Sequence, residues 1–190
     1  MSSARSWFAI DVLLKVALLA LVAHALAFPD LPQYAGKAML GRVVTYPLVV
    51  LAAPLLWALF LRRRRPFPEA IDILVTLPFV IDLAGNALNL YDTIDWWDDA
   101  NHFVNWALIS AAISIALAWT TLPALARFGL AVGLGAIIAI GWEIAEYLAF
   151  IQNSPELTTA YRDTLGDLVL GTLGSALGAL LVVAVGRSRA

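Results

Sequence analysis

The residues of this chain whose types could do chemistry are one histidine and a set of acids spaced three or four positions apart. The segment DTIDWWDDANHFVNW, residues 92–106, holds four aspartates and one of only two histidines in a chain that is 62% hydrophobic. The candidate metal ligands are Asp99, His102, Glu143, Glu146, Asp163 and Asp167, with Asp82, Asn86 and Asp98 as supporting polar residues. Side chains three or four residues apart share one face of a helix. The spacing therefore predicts four polar helix faces that meet in one site.

The chemistry of such a site depends on what neutralises the negative charge of its carboxylates. Like charges this close cannot all stay ionised in a partly dry environment. A divalent cation would neutralise several carboxylates, and oxygen ligands with one imidazole suit Zn²⁺, Mn²⁺ or Fe²⁺ better than Ca²⁺. Otherwise the acids share protons, as in a relay. With a metal, a bound water would be the nucleophile, and Glu143 or Glu146 is the candidate catalytic base.

The composition places these residues in a membrane protein. The mean hydropathy is +0.84 and only 14% of residues are charged, whereas soluble domains carry about 25%. We predict an all-α integral membrane protein, a single compact bundle of about six transmembrane helices over residues 1–190. The predicted spans are 7–28, 42–61, 69–90, 98–121, 125–151 and 163–186. The lack of cysteine excludes disulfides and thiolate metal sites, and the net charge of −2 gives no indication of a nucleic-acid partner.

The placement of lysine and arginine predicts the orientation of these spans. With a cytoplasmic amino terminus, eight of these residues fall on the cytoplasmic side and three on the other. The run from Arg62 to Arg65 is the strongest determinant, and an anionic-lipid site is its alternative role. Both termini are therefore predicted on the cytoplasmic side of a bacterial inner membrane, with the acidic site beneath the periplasmic surface. The first span is predicted to be retained rather than cleaved as a signal peptide, because Asp11 and Lys15 interrupt its apolar region.

Several polar residues and glycines also have plain structural explanations. Asp92 and Asp95 are predicted to be solvated loop acids. Asp98 or Asp99 could cap the start of the fourth span, and Asp163 that of the sixth. His24 is predicted to lie at the membrane interface rather than to be a ligand. Five glycines of the last two spans are predicted to mark close helix packing, namely Gly129, Gly133, Gly171, Gly174 and Gly178.

The order of the polar motifs resembles a known family. Three motifs follow one another, ahead of the glycines of the last span: Asp98-x-x-x-His102-Phe103, Trp142-Glu143-x-x-Glu146 and Asp163-Thr164-x-x-Asp167. From about Asp82 to Leu181 the chain resembles the YjdF-like bacterial inner-membrane proteins and, more distantly, the VanZ-like proteins linked to teicoplanin resistance. The Glu-x-x-Glu element fits the YjdF-like form better. The resemblance implies a site at His102, Glu143, Glu146, Asp163 and Asp167, and it implies no particular reaction.

Three functions remain open for such a protein. The first is a metal-dependent membrane hydrolase or transferase that acts at the outer leaflet on a lipid or a lipid-linked envelope substrate. The second is a proton- or cation-coupled transporter, and the third is a non-catalytic envelope or stress factor. A transporter needs a polar path to both faces, whereas the inner halves of the fourth and sixth spans are mostly apolar, relieved by Ser110 and Ser114. This distribution favours a site open to one face, with membrane lipids as the predicted partners.

Overall fold

A computed structural model describes residues 2–187 of the chain and the side chains of residues 6–186. The described residues form helices and turns, with no strand among them, so the prediction of an all-α fold is confirmed. The α-helices are α1 (Ser2–Ala27), α2 (Met39–Leu56), α3 (Glu69–Ala87), α4 (Leu90–Thr93), α5 (Trp97–Leu117), α6 (Ala124–Ala149) and α7 (Ala160–Arg187). Three arginines used to predict the orientation lie outside this description: Arg189 entirely, and Arg5 and Arg187 in their side chains.

Within residues 2–187, six helical stretches are long and apolar enough to cross a membrane. They are Ser6–Ala27, Met39–Leu61, Glu69–Ala87, Trp97–Leu117, Ala124–Asn153 and Ala160–Gly186. The second joins α2 to a π-helical turn at Trp57–Leu61, and the fifth continues α6 into a 3₁₀ turn at Ile151–Asn153. Large apolar side chains such as Leu13 and Leu125 stay exposed on these stretches, as expected where helices face lipid. The prediction of six spans is confirmed, and the chain is a multi-pass membrane protein.

Two of the spans end at least three residues earlier than predicted. The third ends at Ala87 rather than at residue 90, because Asn89 adopts the left-handed backbone conformation with φ of 58°. That conformation cannot continue a right-handed helix. The fourth ends at Leu117, shortly before Thr120, Thr121 and Pro123. Pro123 disfavours helical backbone in the residue before it, so the helix stops short of it.

The helices fall into two compact units. Unit 1 is Met1–Thr93 and contains α1 to α4, and unit 2 is Ile94–Ala190 and contains α5 to α7. In unit 1 the most extensive contact joins α1 to α3, and in unit 2 it joins α5 to α7, with α6 packed against both. The prediction of one domain over the whole chain stays a prediction.

Glycines on α7 let it approach α5 at backbone distance. A Cβ atom built on Gly174 would lie 2.0 Å from the carbonyl oxygen of Phe103, and one on Gly178 would lie 2.0 Å from that of Ala107. Such closeness places Cα–H groups against carbonyl oxygens, a contact common at helix interfaces in membranes. The predicted packing role of the α7 glycines is thus confirmed.

The packing role predicted for two α6 glycines is wrong within the described residues. A Cβ atom on Gly129 or on Gly133 would meet no atom within 4 Å. Gly135 takes that role instead, because its Cβ atom would lie 2.2 Å from Ser110 Oγ and 2.5 Å from Ser175 Oγ. The glycine that packs is therefore the one facing α5 and α7, two residues along the helix.

We expect Gly178→Ala to lower the free energy of unfolding by about 1–3 kcal/mol, because the added methyl group meets backbone that cannot move aside. The matched control is Gly166→Ala on the same helix, where a Cβ atom would meet nothing within 4 Å. Alanine there should leave stability unchanged or raise it by up to about 1 kcal/mol through helix propensity. Unfolding in mixed detergent measures both variants, and an equal effect in the two would contradict the backbone contact.

Candidate functional site

The polar residues of unit 2 meet at the end where α5 and α7 begin and α6 ends. Asp98 and Asp99 lie in the first turn of α5, and Asp163 lies in the first turn of α7. Acids there interact favourably with the partial positive charge of a helix amino terminus. The prediction that Asp98 or Asp99 caps the fourth span is wrong, because Trp96 holds the cap position of α5. The same prediction for Asp163 is wrong because α7 begins at Ala160, three residues earlier.

The buried imidazole of His102 lies between carboxylates from three helices. Its Nδ1 is 3.5 Å from Glu143 Oε1 on α6. Its Nε2 is 3.7 Å from Asp167 Oδ1 on α7 and 3.7 Å from Asp98 Oδ1, one turn back on α5. The side chains of His102, Glu143 and Asp167 are at most 8% exposed, whereas that of Asp98 is 45% exposed. Each ring nitrogen thus faces at least one carboxylate, and the Nε2 side is the accessible one.

These residues form two overlapping groups that could hold a metal ion. One is His102 with Asp98 and Asp167, and the other is His102 with Glu143 and Glu146. Within each group the potential ligand atoms all lie within 4.8 Å of one another. The nitrogen–oxygen separations of 3.5–3.7 Å are longer than ordinary hydrogen bonds. They are close to the ~3.4 Å that separates two ligand atoms about 2.1 Å from a tetrahedral zinc ion. The donor set and its spacing therefore fit a divalent cation.

The remaining predicted acids lie around these groups. The carboxyl group of Asp167 lies close enough for electrostatic repulsion by four other acids, namely Asp98, Glu143, Glu146 and Asp163. Asp163 interacts in the same way with Asp99, and both are exposed at the rim. The structure thus brings His102, Glu143, Glu146 and Asp167 together and adds Asp98, which was predicted only as support. It places Asp99 and Asp163 outside the two groups.

Asp82 and Asn86, predicted as supporting residues, lie on α3 in unit 1. Asp82 accepts hydrogen bonds from Arg42 and from Tyr46, each at 2.6 Å, and from Tyr91 at 2.8 Å. The amide of Asn86 donates to the Asp82 backbone carbonyl at 2.9 Å. The second histidine, His24, is also in unit 1 and shares a hydrogen bond with the Tyr34 hydroxyl at 2.8 Å. A supporting role for Asp82 in the metal site stays a prediction.

A buried layer follows the site along α5, and sequence reasoning missed most of it. Trp106, one turn beyond His102, packs against Gly171, where a Cβ atom would lie 2.8 Å from the indole ring. One turn further, Ser110 and Ser175 face the same glycine of α6 and are fully buried. The signal for Trp106 and Ser110 was a repeated four-residue spacing that starts at His102 and puts all three on one face of the helix. Trp106 therefore fills the space between α5 and α7 one turn beyond His102.

With this geometry in place, the comparison with known families is informative. The family model of predicted membrane proteins DUF2238 matches residues 10–188. The chain belongs to this family. The DUF2238 match extends over both units and confirms the predicted resemblance to the YjdF-like family. The more distant relation to VanZ-like proteins stays an expectation. No curated protein and no solved structure matches the chain.

We expect Asp82→Asn to lower the free energy of unfolding by about 3 kcal/mol, because the buried guanidinium of Arg42 loses the negative charge it faces. The matched control is Asp92→Asn, which removes an ion pair with Lys37 whose aspartate side chain is 47% exposed. Exposed pairs contribute at most about 1 kcal/mol. Chemical unfolding of both variants in detergent measures the difference. Equal losses would show that the Arg42–Asp82 pair is not the buried element that the structure describes.

Proposed function

We propose that this DUF2238 protein binds a divalent metal ion at His102 and uses it in hydrolysis or group transfer on a lipid or lipid-linked envelope substrate. One observation carries the proposal. A single buried imidazole has carboxylates of three helices around its two nitrogens, and within each of the two groups the separations suit ligands of a cation better than direct hydrogen bonds.

The charges of the site support a divalent cation as its ligand. Each group offers one imidazole nitrogen and two carboxylates, so two negative charges face a doubly positive ion. Three protein ligands leave a coordination position for water or substrate, as in catalytic rather than structural metal sites. Mixed nitrogen and oxygen ligands suit Zn²⁺, Mn²⁺ or Fe²⁺. Without a cation, several buried carboxylates would repel one another at high energetic cost.

The residues around His102 have distinct parts in this proposal. A bound divalent cation supplies Lewis-acid chemistry and lowers the pKa of coordinated water. The ring nitrogen that does not face the cation faces the carboxylate opposite it, which would favour one tautomer and one ring orientation. Asp98 lies on the exposed side and gives access to the site. With the cation held by His102, Asp98 and Asp167, the half-buried Glu146 would be the general base that accepts a proton and passes it to solvent.

The depth of the site supports a lipid substrate. Asp98 and Asp163 lie in the first turns of two spans, close to the level of lipid head groups rather than the bilayer centre. Trp106 packs against Gly171 one turn beyond His102, which would close the site away from the helix starts and favours chemistry at one face over transport through the protein. The arginine distribution favours the periplasmic face of a bacterial inner membrane for this end, with both termini in the cytoplasm.

We expect the purified protein to contain about one divalent transition-metal ion per chain and His102→Ala to lose it, because both ligand groups share this imidazole. Glu143→Gln should lower the metal content as well, since it removes a carboxylate that faces Nδ1. Elemental mass spectrometry of detergent-purified protein measures the content, after gel filtration has shown that each variant is folded.

Two variants control for the histidine and for an acid. His24→Ala removes a histidine that bonds to Tyr34, and Asp95→Asn removes an exposed acid just before α5. Both should retain the wild-type metal content. Well-folded wild-type protein that takes up no Zn²⁺, Mn²⁺ or Fe²⁺ after dialysis against each ion would overturn the metal centre.

We further expect the metal-loaded protein, reconstituted in vesicles of total bacterial envelope lipid, to convert at least one lipid species. The reason is that the site combines a Lewis acid with a nearby carboxylate base at head-group depth. Lipid mass spectrometry before and after incubation detects the product, and His102→Ala vesicles set the background. If metal-loaded wild type and His102→Ala give the same lipid profile, the enzymatic part of the proposal fails while the metal site stands.

A further inference from the structure

Unit 1 contains a second buried group of charges, on the helix pair α1 and α3. The ammonium nitrogen of Lys15 lies 2.6 Å from Asp11 Oδ1 and 2.5 Å from Asp72 Oδ2. Asp11 is 4% exposed and Asp72 is fully buried, whereas the Lys15 side chain is 25% exposed. Both carboxyl groups thus lie beside one ammonium within the first and third spans.

The charges of this Asp11–Lys15–Asp72 cluster do not balance. Two ionised carboxylates and one ammonium leave a net negative charge in the apolar part of the protein. An uncompensated charge there costs so much solvation energy that such a group takes up a proton instead. The nearest ways to balance the cluster are therefore a proton or a small cation.

The surroundings of one carboxyl oxygen of Asp72 support a bound proton. Asp72 Oδ1 is buried and has no hydrogen-bond partner among the described residues. The neighbouring hydroxyl of Thr76 donates to the backbone carbonyl of Asp72 at 2.8 Å and not to its carboxyl group. An ionised carboxylate would leave the lone pairs of this oxygen unpaired in an apolar environment, whereas a protonated carboxyl group carries no charge to compensate.

Asp82 on the same helix shows what a balanced carboxylate looks like in this protein. It is 7% exposed, and it faces one guanidinium, so its charge is matched one to one. Both of its oxygens accept hydrogen bonds, one from Arg42 and Tyr46 and the other from Tyr91. The contrast with Asp72 shows that the imbalance on α3 is local to its contact with α1.

We propose that the Asp11–Lys15–Asp72 cluster is a proton-binding site in which the two carboxyl groups hold one exchangeable proton beside the Lys15 ammonium. This site is in unit 1 and does not depend on the metal proposed for unit 2. Binding of the proton neutralises the contact between α1 and α3, and its release leaves an excess charge between them. The site therefore couples protonation to the packing of this helix pair.

The titratable groups around the cluster have other partners or lie one turn away. Glu69 precedes Asp72 by three residues on α3, in the first turn of that helix. The helix α2 packs against both α1 and α3, and its titratable residues Arg42 and Tyr46 bond to Asp82. Among the described contacts, Lys15 is the cation that lies within hydrogen-bond distance of both carboxyl groups.

Infrared difference spectroscopy of the full-length protein in detergent at neutral pH tests the site. We expect wild type minus Asp72→Asn to show the loss of one protonated-carboxyl band and no loss of carboxylate, because the remaining Asp11–Lys15 pair is balanced. Asp11→Asn should give the same result through the Asp72–Lys15 pair. The matched control is Asp92→Asn, whose carboxylate is already balanced by Lys37, and it should lose a carboxylate band only.

Two results would overturn the proton site. If Asp72→Asn and Asp11→Asn each remove a carboxylate band, both acids are ionised and the cluster holds no proton. If the protonated-carboxyl band is absent in sodium buffer and is gained when sodium is replaced by a large organic cation, the occupant is Na⁺. Each variant replaces a carboxyl group by an amide of the same shape, which favours folding. One folded variant of the two is enough to show whether the cluster holds a proton.

Discussion

A charge placed among apolar side chains and lipid must find a counter-charge close by, and the polar structure of this protein follows from that constraint. Three arrangements meet it in different ways. Asp82 is matched by the guanidinium of Arg42, and the carboxyl groups beside Lys15 exceed the charge of their ammonium by one. Around His102 the acids outnumber the imidazole, which favours a cation from outside the chain. The degree of mismatch thus separates a structural ion pair from the sites where a ligand is expected.

The precision of the site around His102 depends on helix contacts that contain no charge. Gly174 and Gly178 let α7 touch the backbone of α5, so Asp167 and His102 are held at a separation set by main-chain packing rather than by flexible side chains. Trp106 against Gly171 fills the space just beyond the site. Side chains supported by rigid neighbours hold a ligand geometry better than side chains on mobile elements. The apolar interface is therefore as much a part of the site as its acids.

The sequence predicted the architecture well and the partners of individual residues less well. The number of spans could be predicted from the lengths of the apolar segments. The grouping of the acids of α5, α6 and α7 could be predicted from their helical spacing. The partner of Asp82 could not be predicted, since Arg42 lies forty residues away and no periodicity links the two. Gly135 was missed for Gly129 and Gly133 because spacing alone does not tell which face of a helix meets a neighbour. Such pairings depend on tertiary packing, which one sequence does not reveal.

The contact between α5 and α7 has a consequence for biosynthesis. Of the six spans, α5 is the least apolar and α7 the most, and α5 emerges from the ribosome first. Until α7 has been made, the acids and the imidazole of α5 have none of the glycine-mediated contacts that later cover that helix. A span of this kind partitions poorly into lipid alone. The chain is therefore expected to depend on the insertion machinery to shelter α5 during translation, and a message truncated before α7 should yield a product that is degraded.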